Sequence, residues 1–315
     1  MHKNLPIVVV TCIRDLPMLC LQAESMKTYY NTWLPKDYAK TDLYIVVNEP
    51  KEKLDHWNAH FEHISKEYDR FNVTVLYRDQ FINDWNTWIP SDKNPWAVGW
   101  ETQQILKLAI AEKIQAVGYF LLDSQNFLTN AWGTSMYPII DGKLPYRPAI
   151  FNMPMSIWED YSNILNLQNV KPNEKTLNIC TPLFFNTELV CSLLKTKSTL
   201  GEFSSWFRTA SRIKSEFTLY YLWAEKQGGF DKFHYEAPSW AGHFLRDNKN
   251  FSLEFAKFID SIGKIPHQAW VSINHRAWGD MTDEQYQLLK IKIRNLGLYD
   301  SHFDKYREEY VDIKI

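Results

Sequence analysis

Residues 118–127 read GYFLLDSQNF. Five uncharged residues, Gly118 to Leu122, run straight into Asp123, Ser124, Gln125 and Asn126. A short apolar run bounded by polar turn formers reads as a buried strand. In open α/β sheets, ligands bind beyond the carboxyl ends of the strands. An acid at that end, followed by three polar side chains, is well placed to hold a divalent cation or a ribose. A strand-end aspartate also serves as a turn former or helix cap, and the stretch alone does not separate the two roles.

Working outward, Leu5–Cys12 (LPIVVVTC) reads as a second buried strand, and Leu16–Tyr30 carries apolar residues at helical spacing. Leu43–Asn48 (LYIVVN) reads as a strand, LDHWNAHFEHISKEY as a helix and Asn72–Tyr77 (NVTVLY) as another strand. This alternation predicts right-handed crossovers and a mainly parallel sheet flanked by helices. Phe81–Trp100 (FINDWNTWIPSDKNPWAVGW) reads as a loop bearing Trp85, Trp88, Trp96 and Trp100, with a helix from Glu101 to about Gln115. Long aromatic loops often carry function.

No internal repeat, low-complexity tract or Gly/Ser linker interrupts the chain. One domain over residues 1–315, with a helical C-terminal portion, is the simplest organisation.

Composition narrows the class. With 45% hydrophobic and 23% charged residues, the 315-residue chain is neither disordered, collagen-like nor a coiled coil. Its 35 basic against 37 acidic residues give a net charge of -2, which excludes a wholesale basic surface for nucleic acid. Aromatic residues reach 15%, including 13 Trp. Rings stack on sugars and bases, but for any given Trp core filling is the favoured reading. Cys12, Cys20, Cys180 and Cys191 are scattered, as reduced thiols are, without zinc-site or disulfide spacing. No apolar run is long enough for a signal-peptide core or a membrane span. The sequence-based expectation is a cytoplasmic protein. The oligomeric state is not legible.

The motifs VVTCIRD (residues 9–15), GWETQQILKL (99–108), FLLDSQNF (120–127), SEFTLYYL (215–222) and SINHRA (272–277) occur in this order. Together they resemble GT-A-type nucleotide-sugar glycosyltransferases, specifically a bacterial and phage branch, over roughly residues 7–290. The resemblance implies a GT-A-like, Rossmann-like α/β fold. Residues 1–130 would form the nucleotide-sugar half and residues 131–315 the acceptor and catalytic half. It also implies a divalent cation, Mn²⁺ or Mg²⁺, at a D-x-D motif. Here that motif departs from the pattern, because Gln125 stands where the second acid belongs, and amide oxygens are weaker ligands for hard cations. Asp123 would share the metal with His275, with Arg276 beside it for phosphate charge.

The same resemblance places Thr11 and Arg14, past the first strand, at the nucleotide. Gln103 and Lys107 share a helix face, four residues apart, with Gln104 and Trp100 beside them. Lys107 suits a diphosphate and Gln103 a sugar hydroxyl, whereas a solvated helix face is the plain alternative. Ser124, Gln125, Asn126 and Tyr220 complete the expected donor contacts. Glu216 opens the apolar run of SEFTLYYL and is the expected general base of an inverting transfer, alongside Asp123. It also fits a first-turn acid in a helix capped by Ser215. Asp231 and Glu236 are weaker rivals for the base.

The expected donor is a UDP-sugar. The acceptor is read as a hydroxyl, with 5-hydroxymethylcytosine in phage DNA one candidate, because RTASRIK (208–214) and KIKIR (290–294) are basic. A surface polysaccharide or a small molecule is the alternative, as is a catalytically degenerate nucleotide or carbohydrate binder. No G-x-G-x-x-G follows the first strand, which disfavours a Rossmann dehydrogenase, and no P-loop motif is present.

Overall fold

A computed structural model describes residues 5–32, 40–49, 68, 70–82, 95–147, 155–167, 181–210, 214–238, 240–245, 250–264, 269–298, 303–304 and 307. The first described elements are β1 (Ile7–Thr11), α1 (Leu16–Tyr29), β2 (Thr41–Val47) and β3 (Phe71–Tyr77). Next come α2 (Pro95–Ala109), β4 (Gly118–Asp123), β5 (Asn126–Leu128), β6 (Leu144–Tyr146) and α3 (Met155–Ile164). β7 (Leu183–Asn186), α4 (Thr187–Leu194), α5 (Leu200–Ala210) and α6 (Glu216–Lys226) follow. The last described elements are β8 (His234–Glu236), β9 (Ala241–Leu245), α7 (Phe251–Ser261), β10 (Trp270–Ile273), α8 (His275–Asp280) and α9 (Asp283–Asn295).

The main sheet has the order β3-β2-β1-β4-β7. All neighbours run parallel except β4 and β7, which are antiparallel. The expected mixed α/β architecture with a mainly parallel sheet is therefore present. Alternate residues of the inner strands feed two faces, as the two-residue period of a strand requires. Val8, Val10, Val46, Tyr119 and Leu121 pack with Ile105 and Leu108 of α2 and with Leu219 and Leu222 of α6. Ile7, Val9, Ile45, Phe120 and Leu122 pack with Leu19, Ala23 and Met26 of α1 and with Trp132, Trp240 and Trp270. Gly118 starts β4 in close packing against β7: a Cβ there would meet the Phe185 carbonyl oxygen at 2.6 Å.

A second sheet, β5-β10-β9, extends the structure beside the end of β4. α9 and its neighbours pack Trp278, Tyr286, Leu289 and Ile293 into a third cluster with Met18 and Leu21 of α1.

One expectation changes. α2 starts at Pro95, inside the stretch read as loop, since proline is well suited to the first turn of a helix. Trp85, Trp88 and most of LDHWNAHFEHISKEY lie outside the described residues, as does the Trp96 side chain. Trp132, Trp158, Trp240, Trp270 and Trp278 are fully buried, so much of the tryptophan surplus is core.

Candidate active site

The strand order fixes where the site lies. From β1 the chain steps outward through β2 and β3, then returns to place β4 on the other side of β1. In open α/β sheets such a reversal is where ligands bind, here the carboxyl ends of β1 and β4. Register pairs Val10 with Asp123, so Thr11 and Asp123 end these two strands. Asp123 is the last residue of β4, its side chain 31% exposed.

The turn after Asp123 is held from behind. The Asp123 backbone N–H donates to Asn126 Oδ1 at 2.7 Å. Gln22 Nε2, on α1, donates to the carbonyls of Asp123 at 2.9 Å and Asn126 at 2.6 Å. Ser124 Oγ donates to Asp15 Oδ2 at 3.1 Å, tying the turn to the end of the VVTCIRD motif. Ser124 and Asn126 are buried, and Gln125 is half-buried.

α2 supplies the front. Trp100, Gln103, Gln104 and Lys107 fall at i, i+3, i+4 and i+7, one face of a helix. At the sheet end, Asn48 Nδ2 donates to the Gly99 carbonyl at 2.7 Å and Thr102 Oγ1 donates to Asn48 Oδ1 at 2.9 Å. Tyr119 OH of β4 donates to the Lys107 carbonyl at 2.8 Å. So anchored, the helix brings Lys107 Nζ to 2.9 Å from Asp123 Oδ1 and 3.0 Å from Glu216 Oε1. Gln103 Nε2 reaches Asp123 Oδ1 at 3.4 Å, and Thr181 Oγ1 donates to Asp123 Oδ2 at 2.8 Å. With its amide oriented to satisfy both ends, Gln104 donates to Glu216 and accepts from the Trp100 indole N–H at 3.1 Å.

Burial shapes the charges. It depresses the Lys107 ammonium, but Asp123 and Glu216 outweigh it and hold Lys107 above the usual lysine range. Burial raises the Glu216 carboxyl, with Lys107 opposing it. Two carboxylates share one ammonium here.

Several expected residues are placed differently from one another. Asp123, Gln103, Lys107 and Glu216 come together, with Gln104 and Trp100 behind them. Thr11 is buried, and its hydroxyl donates to the Cys12 carbonyl at 3.4 Å. Arg14 and Arg276 are exposed. Arg276 follows β10, and β10 pairs with β5 through Ser272 and Asn126, next to the Asp123 turn. The His275 side chain lies outside the described residues.

Glu216 opens α6 as expected, and the Ser215 hydroxyl caps that helix by accepting from the Thr218 N–H. A general base must reach the proton it removes. Glu216 is 1% exposed and faces Lys107 and Gln104 instead. Tyr220 is likewise wholly buried: its hydroxyl accepts from the Asn186 N–H at 2.9 Å and lies 2.6 Å from His234 Nε2. That places it in the core, apart from the Asp123 group. Asp231 and Glu236 are both exposed on or beside β8.

Thr181 and Gln22 were not legible as site residues. Thr181 lies 58 positions from Asp123, and no local pattern marks such a partner. Asp15 did carry a signal, since it closes the VVTCIRD motif.

Among the described residues, these donors do not fit a divalent cation. Asp123 already faces an ammonium and a hydroxyl, Gln125 is neutral, and the Asn126 oxygen is spent on the turn. Hard cations are held by carboxylate, carbonyl and phosphate oxygens, and a neighbouring ammonium repels them. Among the described residues, no three His, Cys, Asp or Glu side chains converge to hold a metal. Among them too, no helix is long and apolar enough to cross a membrane. The basic stretch 208–214 is partly spent internally. Arg208 Nε pairs with Glu101 at 3.0 Å and Lys214 is buried.

Residues 24–252 match the family described as "Family of unknown function (DUF6492)". The chain belongs to this family. No curated protein matches it.

Among solved structures, the chain is similar to the galactosyltransferase LgtC, crystallised with donor and acceptor sugar analogs. The TM-score is 0.51 at 10% identity, covering 96% of this chain and 99% of that one. It is also similar to the bifunctional glycosyltransferase WbbM, with TM-score 0.52 at 12% identity, covering 98% of this chain and 52% of that one. The fold of this DUF6492 member is that of GT-A glycosyltransferases.

Proposed function

We propose that the chain is a glycosyltransferase that moves a sugar from a nucleotide-sugar donor, a UDP-sugar in the simplest case, to a hydroxyl acceptor. One observation carries this reading. In a GT-A fold, a half-exposed Asp123 stands at the strand-order reversal, clamped by Lys107 and Thr181 with its turn braced by Gln22. A carboxylate so held accepts hydrogen bonds from donor hydroxyls in a fixed direction. Gln103 supplies an amide beside it, and the exposed Arg14 and Arg276 meet the diphosphate charge. Residues 1–130 form the donor half and residues 131–315 the acceptor half. For the acceptor we favour a carbohydrate or small-molecule hydroxyl over DNA, because Arg208 is committed to Glu101 and Lys214 is buried.

The test is a melting panel of UDP, GDP, CDP and ADP on the wild type and on Asp123→Ala. Ligand at about 100 times its Kd adds roughly 2.7 kcal/mol. One diphosphate should raise the wild-type Tm and leave the variant unmoved. A flat panel for the wild type would overturn the donor reading.

A further inference from the structure

Glu216 and Lys107 were expected to act on different parts of the reaction, one on the acceptor proton and the other on the diphosphate. Their geometry joins them. Lys107 is 3% exposed and lies between two carboxylates, with the Phe217 ring centroid 5.2 Å from its Nζ. An ammonium has three donors and no acceptor, so carboxylates on two sides use it well. A hydrogen-bonded chain runs from the Trp100 indole through Gln104, Glu216 and Lys107 to Asp123. Only its two ends, Trp100 and Asp123, are part-exposed, and the three links between them are buried.

The inner end of this chain is built to orient one side chain. Asp123 Oδ1 takes Lys107 and Gln103 while Oδ2 takes Thr181, which leaves the carboxylate one orientation instead of several. Breaking a buried ion pair on one side strands an uncompensated charge. Glu216 therefore has a reason to be an acid that requires no contact with substrate: without it, the buried ammonium would answer to Asp123 alone.

We propose that Lys107 is a positioning residue, its ammonium clamped between Asp123 and Glu216 so that the Asp123 carboxylate is fixed for the donor. Glu216 is the buried counter-anion of that clamp instead of a base that meets the acceptor. This rests on the glycosyl-transfer reading above, because the donor is what Asp123 is held for.

The experiment compares the wild type with Glu216→Gln, Lys107→Met and Lys107→Arg. Calorimetry uses whichever of the four diphosphates stabilises the wild type, and turnover is measured across donor concentrations. Glu216→Gln should raise donor KM several-fold while kcat falls by less than about tenfold, whereas loss of a general base costs kcat about 100-fold or more. Lys107→Met should weaken diphosphate binding at least about tenfold, and Lys107→Arg, which keeps the cation, should recover most of it.

A kcat loss of about 100-fold in Glu216→Gln at unchanged KM would overturn the proposal by making Glu216 the base. Binding by Lys107→Met equal to wild type would overturn it too, as would Lys107→Arg binding as weakly as Lys107→Met. Should Lys107→Met fail to fold, the Lys107→Met/Glu216→Gln double variant removes the stranded buried carboxylate and is judged by the same binding criterion. A wild type that binds none of the four diphosphates and transfers no sugar overturns the underlying reading and the proposal with it. A wild type that binds, with variants that bind as well, overturns the clamp alone.

Discussion

Glu216 and Tyr220 sit one turn apart on α6, both almost completely buried, and they solve the cost of buried polarity in opposite ways. Glu216 faces a charge, the Lys107 ammonium, in a cluster that opens to solvent at Asp123. Tyr220 faces neutral groups. Its hydroxyl accepts from the Asn186 N–H and hydrogen-bonds His234 Nε2 at 2.6 Å. His234 stacks on Phe230 with centroids 4.4 Å apart, and burial pushes its pKa down to about 3, so the imidazole stays neutral. Charge is kept where the sheet opens at its carboxyl end. Four residues along the same helix, polarity serves packing only.

The largest effect that could break this contrast is on stability. Lys107→Met leaves two carboxylates without their cation and should lower unfolding free energy by about 3–5 kcal/mol. Tyr220→Phe leaves only neutral partners unpaired and should cost about 1–3 kcal/mol. Urea unfolding of both variants checks the order, and a reversed order would deny that the charged cluster is the costlier one to disturb.

A smaller effect concerns acid. His234 binds its proton more weakly when folded than the ordinary value near 6.5, so the unfolded chain takes up more protons below that pH. Its contribution is complete above about pH 6.5 and is lost as pH falls toward 3. From pH 6.5 to pH 5 the loss is about 2 kcal/mol. His234→Phe should flatten that limb of the stability profile, while Glu216→Gln should not.

The smallest expected effect is none at all. With an ammonium on Asp123 and an amide at Gln125, EDTA should leave the diphosphate-induced rise in Tm unchanged, as read by the same melting panel. A rise that disappears with EDTA and returns with Mn²⁺ would place a cation beside a charge that is already compensated.

The elements of the sheet were largely legible because both of its faces are buried. GYFLL and IVVV are continuous apolar runs of the kind interior strands carry, and they became β4 and β1. Asp123 was legible for the same reason, as the point where such a run stops. Ser215 could be read as a cap because capping is local, spanning three residues. What could not be read was which face of a polar residue would be covered. Glu216 and Tyr220 look like site residues in a one-dimensional pattern. Their burial is decided by Lys107, Gln104, Asn186 and His234, all distant along the chain. Thr181 escaped notice for the same reason, since its role exists only through a contact across 58 positions.

The ties across the middle of the chain have one more consequence. Thr181 reaches Asp123, Glu216 reaches Lys107 and Arg208 reaches Glu101, each bond joining a residue after 131 to one before 130. Recombination can exchange one part of a gene for a cousin's. Here such a recombinant would inherit a lysine whose counter-charge was selected in another lineage. The two halves are therefore expected to descend together, and drift at position 107 should be answered at position 216.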